Sequence, residues 1–80
     1  MKAILLKSCD IWKSNSTTIG VFTNRNKLNQ AIRELIKDGD AEQDENSPYK
    51  GMSLKHLSIN DIHNFFNYIS LEEIFLNELN

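Results

Sequence analysis

TTIGVFTNRNKLNQAIRELIKDG, residues 17–39, decides the fold, because the apolar period changes within it. Thr17 to Thr23 is rich in β-branched and aromatic residues, the composition of a strand. Alternation puts Ile19 and Val21 on one side and Thr18, Gly20 and Phe22 on the other. Gly20 is the position for a bulge or a close backbone approach. From Asn24 the period becomes helical. Leu28, Ala31, Ile32, Leu35 and Ile36 form one apolar stripe. Asn24 is a favourable N-cap, Lys37 suits the negative end of the helix dipole, and Gly39 is a C-terminal stop. The spacing predicts a helix over about 26–38.

Working outward, Lys2 to Ser8 holds Ile4, Leu5 and Leu6 and is short enough for a strand. The intervening residues 9–16 contain Asp10, Ser14, Asn15 and Ser16, which favour turns. The two strands then make an antiparallel hairpin against which the helix packs. On the other side, residues 40–48 are acidic and polar and read as a mobile linker. Residues 49–57 carry no clear signal. Ser58 followed by Asp61 resembles a capping box, and Ile59, Ile62, Phe65 and Phe66 give a second helix an apolar face, ending near Asn67. Residues 68–79 fit either helix or strand. A lone hairpin is marginal in water, so a third strand is the favoured reading. The expected fold class is α+β: a single β-β-α-α-β domain over 1–80, with a three-stranded antiparallel sheet and helices on one face.

Composition narrows the function classes. Eighty residues make one small domain with a thin stability margin. Cys9 is the only cysteine, so no disulfide forms within the chain, and a free thiol fits a reducing compartment. No segment approaches the roughly 20 apolar residues of a membrane span. The run Ala3 to Leu6 is broken by Lys7 and is not a signal peptide. A cytoplasmic protein is expected. The ten asparagines, with Ile and Lys, reflect an AT-rich coding sequence and carry no mechanism.

Net charge is −2 but unevenly spread. Up to Lys37, seven cations face two acids; from Asp38 onward, two cations face nine acids. Such asymmetry marks a charged partner or simply a solvated surface.

Catalytic chemistry finds little support. His56 and His63 with Cys9 are too few and too widely spaced for a zinc site. No local pattern supports a Cys–His nucleophile, and there is no P-loop, dinucleotide fingerprint or calcium loop. The glycines are isolated. No cofactor, metal or catalytic residue is expected, and the chain reads as a non-enzyme.

Two binding classes remain. The favoured one is protein binding. Unpaired sheet edges accept a partner strand, and Phe65, Phe66, Tyr68, Ile74, Phe75 and Leu79 exceed what a thin core buries. The acids Asp40, Glu42, Asp44, Glu45, Glu72 and Glu73 would dock against a basic partner surface, such as the channel of a nucleic-acid-binding effector. The alternative is a small RNA- or DNA-binding regulator. It would use Lys13, Arg25, Lys27, Arg33 and Lys37 for phosphates and Trp12 for base stacking, although a pI near 5.6 is low for that class. Either a monomer or a homodimer is compatible.

Cys9-Asp10-Ile11-Trp12-Lys13-Ser14, Ile19-Gly20-Val21-Phe22-Thr23, Lys27-Leu28 and Leu35-Ile36-Lys37-Asp38-Gly39-Asp40 together resemble segments of small uncharacterised proteins of Bacteroidetes bacteria and their mobile elements. The resemblance covers roughly the first half. It transfers no function; it implies a cytoplasmic setting and a mobile-element origin. That origin points to an anti-CRISPR-like inhibitor, one that blocks a host defence nuclease by occupying its surface.

Overall fold

The computed structural model describes residues 1–76. Strand β1 (Lys2–Cys9) is central, flanked by β2 (Ser16–Phe22) and β5 (Ile69–Phe75), both antiparallel to it. Helix α1 (Arg25–Lys37) follows β2, and α2 (Ile59–Phe65) precedes β5. This is the expected α+β layout. The ambiguous tail forms the third strand; Leu79 lies outside the described residues.

Local chemistry sets the helix ends. The Asn24 side chain accepts from the backbone N–H of Asn26 at 2.8 Å and Lys27 at 3.2 Å. At the other end Gly39 adopts φ +81°, and the N–H groups of Gly39 and Asp40 donate to the carbonyls of Ile36 and Leu35. That left-handed turn costs glycine nothing. Helix α2 opens on a complete capping box, with Asp61 N–H on Ser58 Oγ and Ser58 N–H on Asp61 Oδ2.

Leu6, Ile69 and Leu71 from the sheet, Leu28 and Ile32 from α1, and Ile62 from α2 share one core. Both helices therefore cover the same face. Phe22 and Ile4 pack at its margin, and a side-chain carbon added at Gly20 would press on the Phe22 ring at 3.3 Å. The register slips by one residue between Leu6 and Lys7, leaving Ile19 as the extra residue of β2. A bulge at this point matches the sequence expectation for Gly20.

Two details depart from the sequence reading, and one stretch that it left open gains a structure. Residues 40–48, read as a linker, hold a two-residue strand, β3 (Glu42–Gln43), which pairs with β4 (Phe66–Asn67). Ala41 and Ser47 are buried there, and the Asp44 N–H donates to the Phe65 carbonyl at 2.8 Å. Helix α2 stops at Phe65 rather than Asn67, because Phe66 turns extended to make that pairing. Residues 49–57 contain a 3-10 turn at Leu54–His56, and Leu54 and Leu57 enter the core.

The surplus of apolar residues divides. Phe66 is buried, and Phe65 meets Tyr49 edge-on with ring centroids 5.6 Å apart. Phe75 stays exposed near the end of β5.

Candidate functional site: a braced tryptophan loop

The loop between β1 and β2 is closed by its own side chains. The Asp10 carboxylate accepts from Ser14 N–H at 2.8 Å and from Ser14 Oγ at 2.7 Å. These bonds hold its carboxyl below the usual range, the Ser14 hydroxyl contributing most. The Lys13 N–H donates to the Asp10 carbonyl at 3.0 Å. Lys13 itself sits at φ +59°, a left-handed conformation uncommon for a long side chain.

A second brace comes from far along the chain. The Lys13 ammonium donates to the carbonyl of Phe66 at 3.0 Å and also to that of Ile69. Between those two residues Tyr68 turns with φ +74°, so β4 and β5 meet at a corner. The Cys9 N–H donates to the Tyr68 carbonyl at 3.0 Å, tying the same corner to the end of β1. Burial pushes the Lys13 ammonium down from its ordinary pKa and the Cys9 thiol up from its own. Cys9 is thus kept as the thiol, the unreactive form.

What this bracing leaves outside is Ile11 and Trp12. Trp12 is 82 % exposed, the most exposed of the large apolar side chains. It covers no core. A rigid loop holding an indole in water is unusual, since the exposed ring gains nothing for folding.

Of the six residues proposed for nucleic acid, two are engaged internally. Lys13 is spent on the corner. Arg25 reaches inward: Nε donates to Asn29 Oδ1 at 2.8 Å, and Nη2 to the carbonyls of Leu54 at 2.8 Å and Leu57. Lys27, Arg33 and Lys37 are exposed on α1. Trp12 stands on the loop at the far end of β2 from the start of α1.

The six acids are also scattered. Asp40, Glu42 and Glu45 are exposed around β3, whereas Asp44 is half-buried and accepts from the Asn46 N–H at 2.8 Å. Glu72 and Glu73 are neighbours in β5 and so point to opposite faces. Glu72 lies 3.3 Å from the Lys7 ammonium and Glu73 3.8 Å from that of Lys2. Exposed pairs of this kind are worth ~0–1 kcal/mol.

His63 has a definite role that spacing did not reveal. Its Nδ1 accepts from the Leu71 N–H at 3.1 Å, so it satisfies a backbone donor on the outer edge of β5. Nδ1 must be unprotonated to do this. Burial, and secondarily the Lys13 charge, push its pKa below the ordinary 6.5. The unfolded chain therefore binds a proton more readily than the folded one. Stability from this group is complete above pH 6.5 and is lost as pH falls through the depressed folded value. Thermal melts should show Tm dropping between pH 7.5 and 5.5, and His63→Asn, which keeps an acceptor, should flatten that dependence. An equal slope in the variant would rule His63 out as the source.

Two depressions lie on the helical side, of about 210 and 310 Å³. They fall at or below the low end of the ~300–1,000 Å³ of small-molecule sites. Among the described residues no group of three or more His, Cys, Asp or Glu is placed to hold a metal ion, and no helix is long and apolar enough to cross a membrane. No protein-family model, curated protein or solved structure matches this chain.

Proposed function

We propose that this chain is a non-enzymatic protein-binding module that occupies a surface on a larger protein, with the Ile11–Trp12 loop as its anchor. One observation carries the reading: an indole is held in water on a loop that Asp10 and Lys13 have already ordered. Tryptophan is enriched among the few residues that dominate binding energy. A pre-ordered loop loses little freedom on docking. The exposed acids Asp40, Glu42 and Glu45 would add steering toward a basic partner surface. A defence nuclease with a nucleic-acid channel is such a partner, and this is the particular form suggested by the mobile-element resemblance. A cytoplasmic setting, where Cys9 stays reduced, belongs to the same proposal.

The direct nucleic-acid alternative is weaker, because Lys13 and Arg25 have internal partners. The test is an affinity pull-down of the tagged protein from its host, run with and without nuclease, beside Trp12→Ala. One stoichiometric protein should survive nuclease and be lost with the variant, whose affinity should fall at least about 30-fold, the equivalent of ~2 kcal/mol at a hot spot. Its thermal melt should be nearly unchanged, since the ring is largely exposed and lies outside the core. Recovery of nucleic acid alone, or full retention by Trp12→Ala, would overturn the reading.

A further inference from the structure

The two outer edges of the three-stranded sheet are treated differently. Strand β5 is protected. Helix α2 packs beside it, His63 takes up the outward N–H of Leu71, and Glu72 and Glu73 put charge on it. Strand β2 is not. Its seven residues, Ser16–Phe22, include no charged residue and no proline, and no charge occurs anywhere from Ser14 to Asn24. Among the described residues no strand, helix or side chain pairs with its outer edge. Charge, proline and a covering element are the usual means of blunting an edge. Only the bulge at Ile19 is present, and it adds twist without removing the unpaired backbone groups.

We propose that β2 is a dimerisation edge, pairing antiparallel with the β2 of a second copy of this chain across a two-fold axis. The neutrality of the strand selects this occupant. In such a pairing the residue on the axis meets itself, and its neighbours meet their own near neighbours. Any charge near the axis would therefore face a like charge. A foreign strand recognised by complementary charge would find nothing to read on β2, whereas a second copy requires only that charge be absent. The axis runs perpendicular to the sheet, so equivalent faces stay on the same side. Val21, which is exposed and sits opposite Leu5 on the face away from the helices, then lies on the same side of the joined sheet in both copies.

The paired segment ends at Ser16, so the 10–15 loops project beyond it, one at each end of the interface. The dimer carries two free Trp12 anchors and would engage a repeated or symmetric partner with avidity. That use rests on the proposed function; the pairing itself does not.

Light scattering coupled to size exclusion, on the purified protein alone, tests it. A mass of twice 9.2 kDa is expected at high concentration, returning to 9.2 kDa on dilution. Thr17→Lys with Ile19→Lys places four like charges across the axis and should give 9.2 kDa throughout. Amide exchange of the wild type, compared at low and high concentration, covers the case in which that variant misfolds: protection should rise over Ser16–Phe22 and not over Ile69–Phe75. A monomer persisting to about 1 mM, the weakest association worth the name, overturns the proposal. So does a dimer that the double variant leaves intact, an open-ended series of masses, or protection gained on β5 instead. Both substitutions spare Trp12, so failure here leaves the pull-down result standing, and the reverse.

Discussion

Arg25→Ala should lower stability by about 3 kcal/mol, because it strips charged donors from two backbone carbonyls and a side-chain amide at once. For a domain of this size that is a fall in Tm of roughly 12–24 °C. The guanidinium bridges α1 to the 3-10 turn, through Asn29 on one side and the carbonyls of Leu54 and Leu57 on the other. Asn29 is only 2 % exposed, so water cannot replace the lost partner without opening the core margin. Arg25→Lys should recover less than half, since an ammonium cannot spread its donors as a planar fork does. Chemical denaturation of the three proteins measures this. A loss under about 1 kcal/mol for Arg25→Ala, the size of a surface contact, would show that the guanidinium is not a structural tether. Arg25 would then return to the pool of cations free for phosphate.

Lys13 should give the second large effect. Lys13→Asn keeps a residue that tolerates left-handed backbone while removing the ammonium. It isolates the bonds to the Phe66 and Ile69 carbonyls. Hydrogen bonds from a charged group are worth ~1.5–3 kcal/mol, and a loss of about 2 kcal/mol is expected. The same substitution should loosen the loop. Trp12 is the only tryptophan, so its fluorescence anisotropy reports the loop alone. Anisotropy should fall in the variant and partner affinity should fall with it, although Trp12 is untouched. Unchanged anisotropy would mean that Asp10 and Ser14 suffice to hold the loop.

The two substitutions also show where sequence reading stops. Both helices were legible because their signals are local: an apolar stripe, a capping side chain and, for α1, a glycine stop, all within one or two turns. The third strand was legible from an argument about what a hairpin lacks. Arg25 and Lys13 were read as free cations because sequence counts charges and not their partners. Those partners are backbone carbonyls, 29 and 32 residues away for Arg25 and 53 and 56 for Lys13, and they carry no residue-specific signature. The β3–β4 pairing was missed for a related reason. Glu42–Gln43 has no apolar period of its own, and its pairing depends on where Phe66 leaves α2. The turn residues around Trp12 were visible in the sequence. The outward direction of its ring was not, because it follows from the brace beneath it.

That brace also fixes an order of events during synthesis. Strands β1 and β2 and helix α1 lie within the first 37 residues and leave the ribosome together. The carbonyls that secure Lys13 belong to Phe66 and Ile69 and emerge much later. A growing chain displays Trp12 long before it can hold it still. Until Phe66 and Ile69 have emerged the ammonium has no carbonyls to seat on, so the brace cannot close before then. The anchor becomes binding-competent only once almost the whole described chain is in place, so incomplete chains carry the tryptophan without the geometry that makes it useful.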